Sequence, residues 1–175
     1  MRGSFLFLLC FAVGMHAWGA EGSMIAGIEL YQSGDYAGAA EVFTKVLEDP
    51  EQKDSHGDAT FLLARSLLAL DRVQQAAAAV DQFLLSHPDH PYYSEGVYLR
   101  GRVLYLQGEW ESSIRAFRDF LQRYPESDLV PNAYYWAGEC LFSLGKLDEA
   151  LALFRAVVHD YPRSAKAEAD RKSVV

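Results

Sequence analysis

The sequence predicts an all-α fold: an α-solenoid of about four helix hairpins, followed by a short capping or truncated helix. Two observations predict this architecture. The chain repeats itself every 37 residues, so that "YLRGRVLYLQGEWESSIRAFRDFLQRYP" at 98–125 returns as "YWAGECLFSLGKLDEALALFRAVVHDYP" at 135–162. Within each repeat, apolar and small residues recur three and four positions apart on either side of a turn residue, which is the spacing of two amphipathic helices.

The residues before the first repeat have the layout of a secretory signal peptide. One arginine precedes an apolar run from Phe5 to Val13, and small residues surround a cleavage position between Gly19 and Ala20. The run is shorter than the roughly 20 apolar residues that a membrane-spanning helix needs. We therefore expect the signal peptide in residues 1–20 to be cleaved near Gly19/Ala20 during export to a periplasm. The alternative is an uncleaved anchor or a buried first helix.

The first helix of each repeat carries a small residue and a leucine three positions apart, which places both on one helical face. The small residues are Gly27, Ala64, Gly101 and Gly138, and the leucines are Leu30, Leu67, Leu104 and Leu141. We expect the backbones of the paired helices to meet where small residues such as Gly27 and Ala39 face each other. A large side chain there would force the helices apart, at a cost of roughly 1–3 kcal/mol.

A turn and a second helix complete each repeat. The turn residues are Gly34, Asp71, Gly108 and Gly145, most of which tolerate left-handed backbone angles. The second helix presents a small residue and two large apolar ones in steps of four and three, as Ala150, Phe154 and Val157 do. Because proline cannot continue a helix, a proline closes each repeat. These are Pro88, Pro125 and Pro162, with Pro50 one residue early in the first repeat.

Composition and motifs narrow the range of functions. Half of the 175 residues are hydrophobic, which is enough for a sizeable core, and the net charge of −8 disfavours generic binding to nucleic acid. No phosphate-binding loop, catalytic triad or carboxylate pair stands out, so we expect no catalytic residues and no cofactor. His87 and His90 form a weak metal motif. His87 occupies the repeat position of Tyr124 and Tyr161, and no cysteine or second cluster supports a metal site. Cys140 is predicted to be a half-buried structural thiol.

The repeat pattern over about residues 24–162 resembles the tetratricopeptide repeat family. The resemblance rests on the small residue and leucine of the first helix, the turn glycine, the Ala-x-x-x-Phe of the second helix and the closing proline. The chain departs from the family in its period, which is 37 rather than the usual 34 or so. It also lacks the family's early tryptophan and its tyrosine three residues after the first-helix glycine. Such long units ending in Tyr-Pro are similar to repeats of periplasmic proteins of the Tol–Pal system and of outer-membrane assembly lipoproteins.

The resemblance implies a right-handed superhelix formed by residues 21–175. Its repeats are expected at about 21–53, 57–90, 94–127 and 131–164. The tail 165–175 is then either a polar cap on the last repeat or the start of a fifth one.

The resemblance also implies a binding surface, because the first helices of this family line the concave face where ligands usually lie. The residues expected to bind a partner in this groove are Tyr31, Phe61, Arg65, Leu68, Tyr98, Arg102, Tyr105, Tyr135, Glu139 and Phe142. Aromatic residues and arginine are typical of binding hot spots. The alternative is that these rings pack only between neighbouring helices. The implied function is a non-catalytic adapter of the cell envelope that binds a peptide or a protein, with a structural subunit of an oligomer or of an outer-membrane assembly as the alternative.

Overall fold

The fold is all-helical, as predicted. The structure is a computed structural model that describes residues 23–162 and 164, and no strand occurs within these residues. Its helices are α1 Met24–Ser33, α2 Tyr36–Glu48, α3 His56–Ala69, α4 Val73–Ser86, α5 Tyr93–Leu106, α6 Trp110–Arg123, α7 Val130–Ser143 and α8 Leu147–Asp160, with a 3₁₀ helix at Pro50–Ser55. The predicted signal peptide and the predicted tail helix lie outside the described residues. Between 23 and 162, no helix combines the length and apolar character needed to cross a membrane.

The helices form successive packed pairs, and the chain divides into two compact units. The first unit ends at Ala79 and the second begins at Val80, so the boundary falls within α4. In the first unit, α1 packs against α2, and α2 packs against α3. In the second unit, α5 packs against α6, α6 against α7, and α7 against α8. Each second helix of these pairs is therefore covered by the first helix of the following repeat, except α8, which no described helix follows.

The geometry of the turn within each hairpin explains why its turn residue is usually glycine. The amide that follows the turn residue donates a hydrogen bond to the carbonyl of the first-helix leucine. These bonds are Asp35 N–H to Leu30, Arg72 N–H to Leu67, Glu109 N–H to Leu104 and Lys146 N–H to Leu141, each 2.9 Å long. This closing bond requires a left-handed residue before the donor. Gly34, Gly108 and Gly145 supply it with φ of 86°, 75° and 74°, and Asp71 adopts φ of 58° despite its side chain.

The first-helix glycines make room for aromatic rings. A Cβ atom added to Gly27 would lie 2.5 Å from Cε1 of Phe43, and one added to Gly101 would lie 2.6 Å from Cε1 of Phe117. Gly138 faces Phe154 in the same way, at 2.6 Å. The expectation that two backbones meet at these glycines therefore needs correction. The ring of the second helix occupies the space directly over the glycine, because a flat ring against the bare backbone buries more apolar surface than a gap would.

The second helices of three repeats end just before the closing prolines, as predicted. Helices α4, α6 and α8 each end two residues before the closing proline. In the first repeat, Pro50 instead opens the 3₁₀ helix, which the sequence pattern did not predict. Asp49 caps this helix, because its Oδ1 accepts a 2.9 Å hydrogen bond from the amide of Glu51. Hydrogen bonds from Gln52 and that amide hold the pKa of Asp49 below its ordinary value.

Cys140 is more deeply buried than predicted. The half-buried thiol of the sequence interpretation is in fact fully buried on α7. Its Sγ donates to Oγ of Ser113 at 3.3 Å, and that hydroxyl donates to the carbonyl of Gly101 at 2.8 Å. The correction has a simple cause: this side of α7 faces α6 of the preceding repeat. Burial raises the pKa of the Cys140 thiol, so it is a structural group and a poor nucleophile.

Candidate functional site

The predicted binding residues fall into two groups, one in each unit. The first patch consists of Tyr31, Phe61, Arg65 and Leu68 on α1 and α3. The second patch consists of Tyr98, Arg102, Tyr105, Tyr135 and Glu139 on α5 and α7, together with Trp136.

In the first patch, an exposed arginine lies between two aromatic rings. The Cζ atom of Arg65 is 5.2 Å from the ring centre of Tyr31 and 5.7 Å from that of Phe61. Both distances are within the range of cation–π attraction. Phe61 is only 3 % exposed, so little of its side chain is available to a partner. It lies on the buried side of α3, and its ring is the second of the two beside Arg65. Leu68 is half-buried at the end of α3.

In the second patch, Trp136 is the central residue. The Cζ atom of Arg102 lies 3.9 Å from the Trp136 ring centre, which is a close stacked contact. The ring of Tyr105 packs 5.0 Å from Trp136, and that of Tyr135 packs edge-on at 5.2 Å. Tyr135 also contacts Phe154 on α8 at 5.6 Å, so α8 fixes its position. The aromatic side chains thus form a supported surface across α5 and α7.

Tyr98 belongs to the core. The residue is 7 % exposed, and its ring packs against Phe117 and Phe120 at 5.8 Å each. Little of this side chain is therefore available to a partner, because this face of α5 turns towards α6. Burial raises the pKa of Tyr98, while the charge of Arg102 and hydrogen bonding to Arg102 act in the opposite direction.

Opposite charges flank the hydroxyl of Tyr105. Partial burial and the nearby carboxylate of Glu139 raise the pKa of this phenol, and the charge of Arg102 lowers it. The second patch therefore has a positive side on α5 and a negative side on α7. A ligand lying across Tyr105 and Trp136 would contact both.

Both arginines lack an acidic partner. Within the described part of the chain, no ion pair includes Arg65 or Arg102, and Nε of Arg102 is buried without a hydrogen-bond partner. Elsewhere in the second unit, arginines do pair: Arg100 contacts Asp81 at 3.4 Å and Arg123 contacts Asp119 at 2.9 Å. A guanidinium held on aromatic rings, with its charge uncompensated, can donate hydrogen bonds to a carboxylate.

Sequence reasoning missed Trp136 and included Phe142. Trp136 occupies the repeat position of Ile25, Leu62 and Leu99, so a lone tryptophan in an aliphatic series was the available signal. Phe142, at the end of α7, is 60 % exposed.

Comparisons with known proteins agree with the repeat architecture. Two family models, both described as tetratricopeptide repeat, match residues 30–97 and 98–165. A search of curated proteins found no match. Among solved structures, YrrB, a TPR protein with an unusual peptide-binding site, aligns with a TM-score of 0.68 at 19 % identity, over 84 % of this chain and 71 % of that one.

Two structures of MamA align similarly. One has a TM-score of 0.67 at 20 % identity, over 89 % of this chain and 80 % of its own. The other, from Desulfovibrio magneticus RS-1, has a TM-score of 0.66 at 21 % identity, over 80 % and 75 %. At these identities the likeness concerns the fold alone.

Proposed function

Because the chain belongs to the tetratricopeptide repeat family, we propose that it is a non-catalytic adapter that binds a peptide or partner protein through its first-helix patches. The observation that carries this proposal is Arg102, stacked on Trp136 at 3.9 Å with its charge unpaired among the described residues. A fold whose relatives include a protein with a peptide-binding site supports the same function.

The second patch favours a particular partner chemistry. Arg102 would bind a carboxylate, since a planar guanidinium can donate two parallel hydrogen bonds to that group. Tyr105 and Trp136 would pack against an apolar or aromatic side chain next to the carboxylate. Glu139 would repel a second acidic group placed towards α7. The expected partner is therefore a segment with one acidic residue beside an apolar one, rather than a uniformly acidic stretch.

A peptide array tests this chemistry. Each acidic peptide on the array is matched by its amide counterpart, with glutamate replaced by glutamine or aspartate by asparagine. We expect the wild-type protein to prefer the acidic member of a pair at least about tenfold, equivalent to about 1.4 kcal/mol. Arg102→Gln should remove this preference. Arg118→Gln is the matched control, because Arg118 is an exposed arginine on α6 outside both patches.

Two results would contradict this proposal. Equal binding of acidic and amide peptides by the wild-type protein would reject the role of Arg102. Equal loss of binding in Arg102→Gln and Arg118→Gln would reject the second patch as the site. Circular dichroism of each variant checks that the helices are intact.

We also propose export and a role in the cell envelope, alongside Tol–Pal or outer-membrane assembly proteins. The signal-like start of the sequence and the extended Tyr-Pro repeats support this proposal. Mass spectrometry of the N-terminus of protein isolated from the native envelope should find a chain beginning near Ala20. A chain that retains residues 1–20, or that is recovered only from the cytoplasm, would contradict it.

A structural subunit is the competing function, and one observation favours it. Apolar side chains are exposed in the first and the last hairpin, at Ile25 and Leu151.

A further inference from the structure

The last hairpin exposes positions that are covered in earlier hairpins. Leu151 on α8 is 46 % exposed, whereas Ala40, its equivalent on α2, is 5 % exposed. The difference arises because α3 covers α2, and no described helix covers α8. Phe142 shows the same pattern. Its equivalent Tyr105 packs against Trp136 of the following repeat, while Phe142 has no such ring neighbour among the described residues.

The first hairpin exposes the complementary positions. Ile25 is 69 % exposed, and its equivalent in the fourth repeat is Trp136, the residue that contacts Tyr105 of the preceding hairpin. An open groove of about 620 Å³ also lies between α1 and α2, with Ala26, Leu30 and Val42 in its lining. We call this surface, including Ile25, the entry face.

In the second unit, the second helix of the preceding repeat lies along the equivalent of the entry face. Leu84 and Asp81 on α4 line a groove with Val97, Leu104 and Ala116 of α5 and α6, and the last two residues are the equivalents of Leu30 and Val42. Asp81 pairs with Arg100 across this groove at 3.4 Å. The second helix of a preceding repeat therefore fits such a face.

Charge identifies α8 as a suitable second helix for the entry face. The groove between α1 and α2 is lined by Glu29, Asp35 and Glu41 against a single Lys45. The α8 equivalent of Asp81 is Arg155, which is exposed and forms no ion pair with any residue that the structure describes.

We propose that a second copy of this chain occupies the entry face, with its α8 packed head to tail on α1 and α2. Leu151 and Val158 of one copy pack on α1 of the next, with Val158 against Leu30. Phe142 of the first copy approaches Ile25, as Tyr105 contacts Trp136 within the chain, and Arg155 approaches Glu29. Such an interface joins two different surfaces, so each added copy presents a new free end and the assembly can grow. The interface lies outside both first-helix patches, and this inference does not depend on peptide binding.

Sedimentation velocity over a concentration series tests the assembly. The wild-type chain should increase in average mass with concentration beyond a dimer. Ile25→Glu, which disables the entry face, and Leu151→Glu, which disables α8, should each remain monomeric. A one-to-one mixture of the two variants should form dimers and stop there, because only one working interface remains. Leu85→Glu is the control: this exposed leucine on α4 is outside the proposed interface, and its replacement should leave growth unchanged.

Charge reversal gives a second, independent test. Glu29→Arg and Arg155→Glu should each lower the average mass at a given concentration, and the double variant should recover it.

Three results would overturn the proposal: a wild-type chain that stays monomeric at every concentration, a variant mixture that does not dimerise, or an Ile25→Glu chain that still grows. A monomer whose α8 becomes accessible only after removal of residues 165–175 would assign α8 to the chain's own tail instead. Measuring both peptide binding and assembly for two variants separates the two functions. Arg102→Gln should lose peptide binding but still assemble, and Ile25→Glu should lose assembly but still bind peptide.

Discussion

Replacing Gly101 by alanine should destabilise the protein, although alanine is the better helix former. Gly101 lies within α5, where alanine would favour the helix by about 1 kcal/mol. The added Cβ, however, would lie 2.6 Å from Cε1, 2.8 Å from Cζ and 2.9 Å from Cδ1 of Phe117. Carbon atoms in contact are normally about 3.5–4.0 Å apart, so three ring atoms would overlap with the new methyl group by up to about 1 Å.

The ring has little room to move away. Phe117 is fully buried, and its other neighbours include Tyr98 at a ring distance of 5.8 Å. Overpacking of this kind costs about 1–3 kcal/mol, and a rigid buried ring places the cost near the upper end. After subtraction of the gain in helix propensity, we expect Gly101→Ala to lower the free energy of unfolding by about 2 kcal/mol.

Urea denaturation followed by circular dichroism at 222 nm measures this change, and a double-mutant cycle identifies its cause. In a Phe117→Leu background, the smaller side chain removes the overlap, so Gly101→Ala should become neutral or stabilising by up to about 1 kcal/mol. If Gly101→Ala were neutral with Phe117 present, or equally harmful in both backgrounds, the close approach of ring and backbone would not be the reason for glycine at this position.

Three further predictions follow from individual contacts. Asp71→Gly should raise the midpoint of urea denaturation by relieving a positive φ of 58° in a residue with a side chain, a gain of about 1 kcal/mol; a lower midpoint would show that the aspartate side chain stabilises this turn. The thiol of Cys140 should resist alkylation in the folded chain up to mildly alkaline pH and react on denaturation, as mass spectrometry of its peptide would show. Because folding raises the pKa of this thiol, the free energy of unfolding should also fall as pH rises above the ordinary thiol range, and this fall should be smaller in Cys140→Ala. The lowered pKa of Asp49 stabilises the fold above the ordinary carboxyl range and is lost as pH falls, so Asp49→Asn should be less stable at neutral pH and less sensitive to acid in thermal melts.

The helical architecture was predictable because it depends on local spacing. Small residues, leucines and turn residues recur at fixed offsets, and each offset corresponds to one helical face or one closing hydrogen bond. For example, the amides of Asp35 and Lys146 donate to leucine carbonyls five residues earlier, so the fixed spacing of leucine and turn residue corresponds to one hydrogen bond. The 3₁₀ helix was not predictable, because it occurs in only one linker and has no counterpart in the other repeats.

The candidate site was predictable only in part. The choice of Arg65 and Arg102 from the first-helix columns agrees with their placement on aromatic rings, and Tyr105 and Tyr135 lie beside the second of them. The 37-residue period alone could not separate exposed from buried aromatic residues, because equivalent positions share the same spacing. Phe61 and Tyr98 share a repeat position with Tyr135, but the rings of the first two turn into the interior.

By itself, the amino-acid sequence determined the number of hairpins, the turn within each hairpin, and the prolines before which most second helices end. These properties depend on backbone hydrogen bonding and helical periodicity, which act over a few neighbouring residues. Only the tertiary structure decided that the glycines receive aromatic rings, that Cys140 is fully buried, and that Trp136 contacts both Arg102 and Tyr105. Those outcomes depend on which side chains from separate helices fill the same space, and a one-dimensional pattern does not specify that.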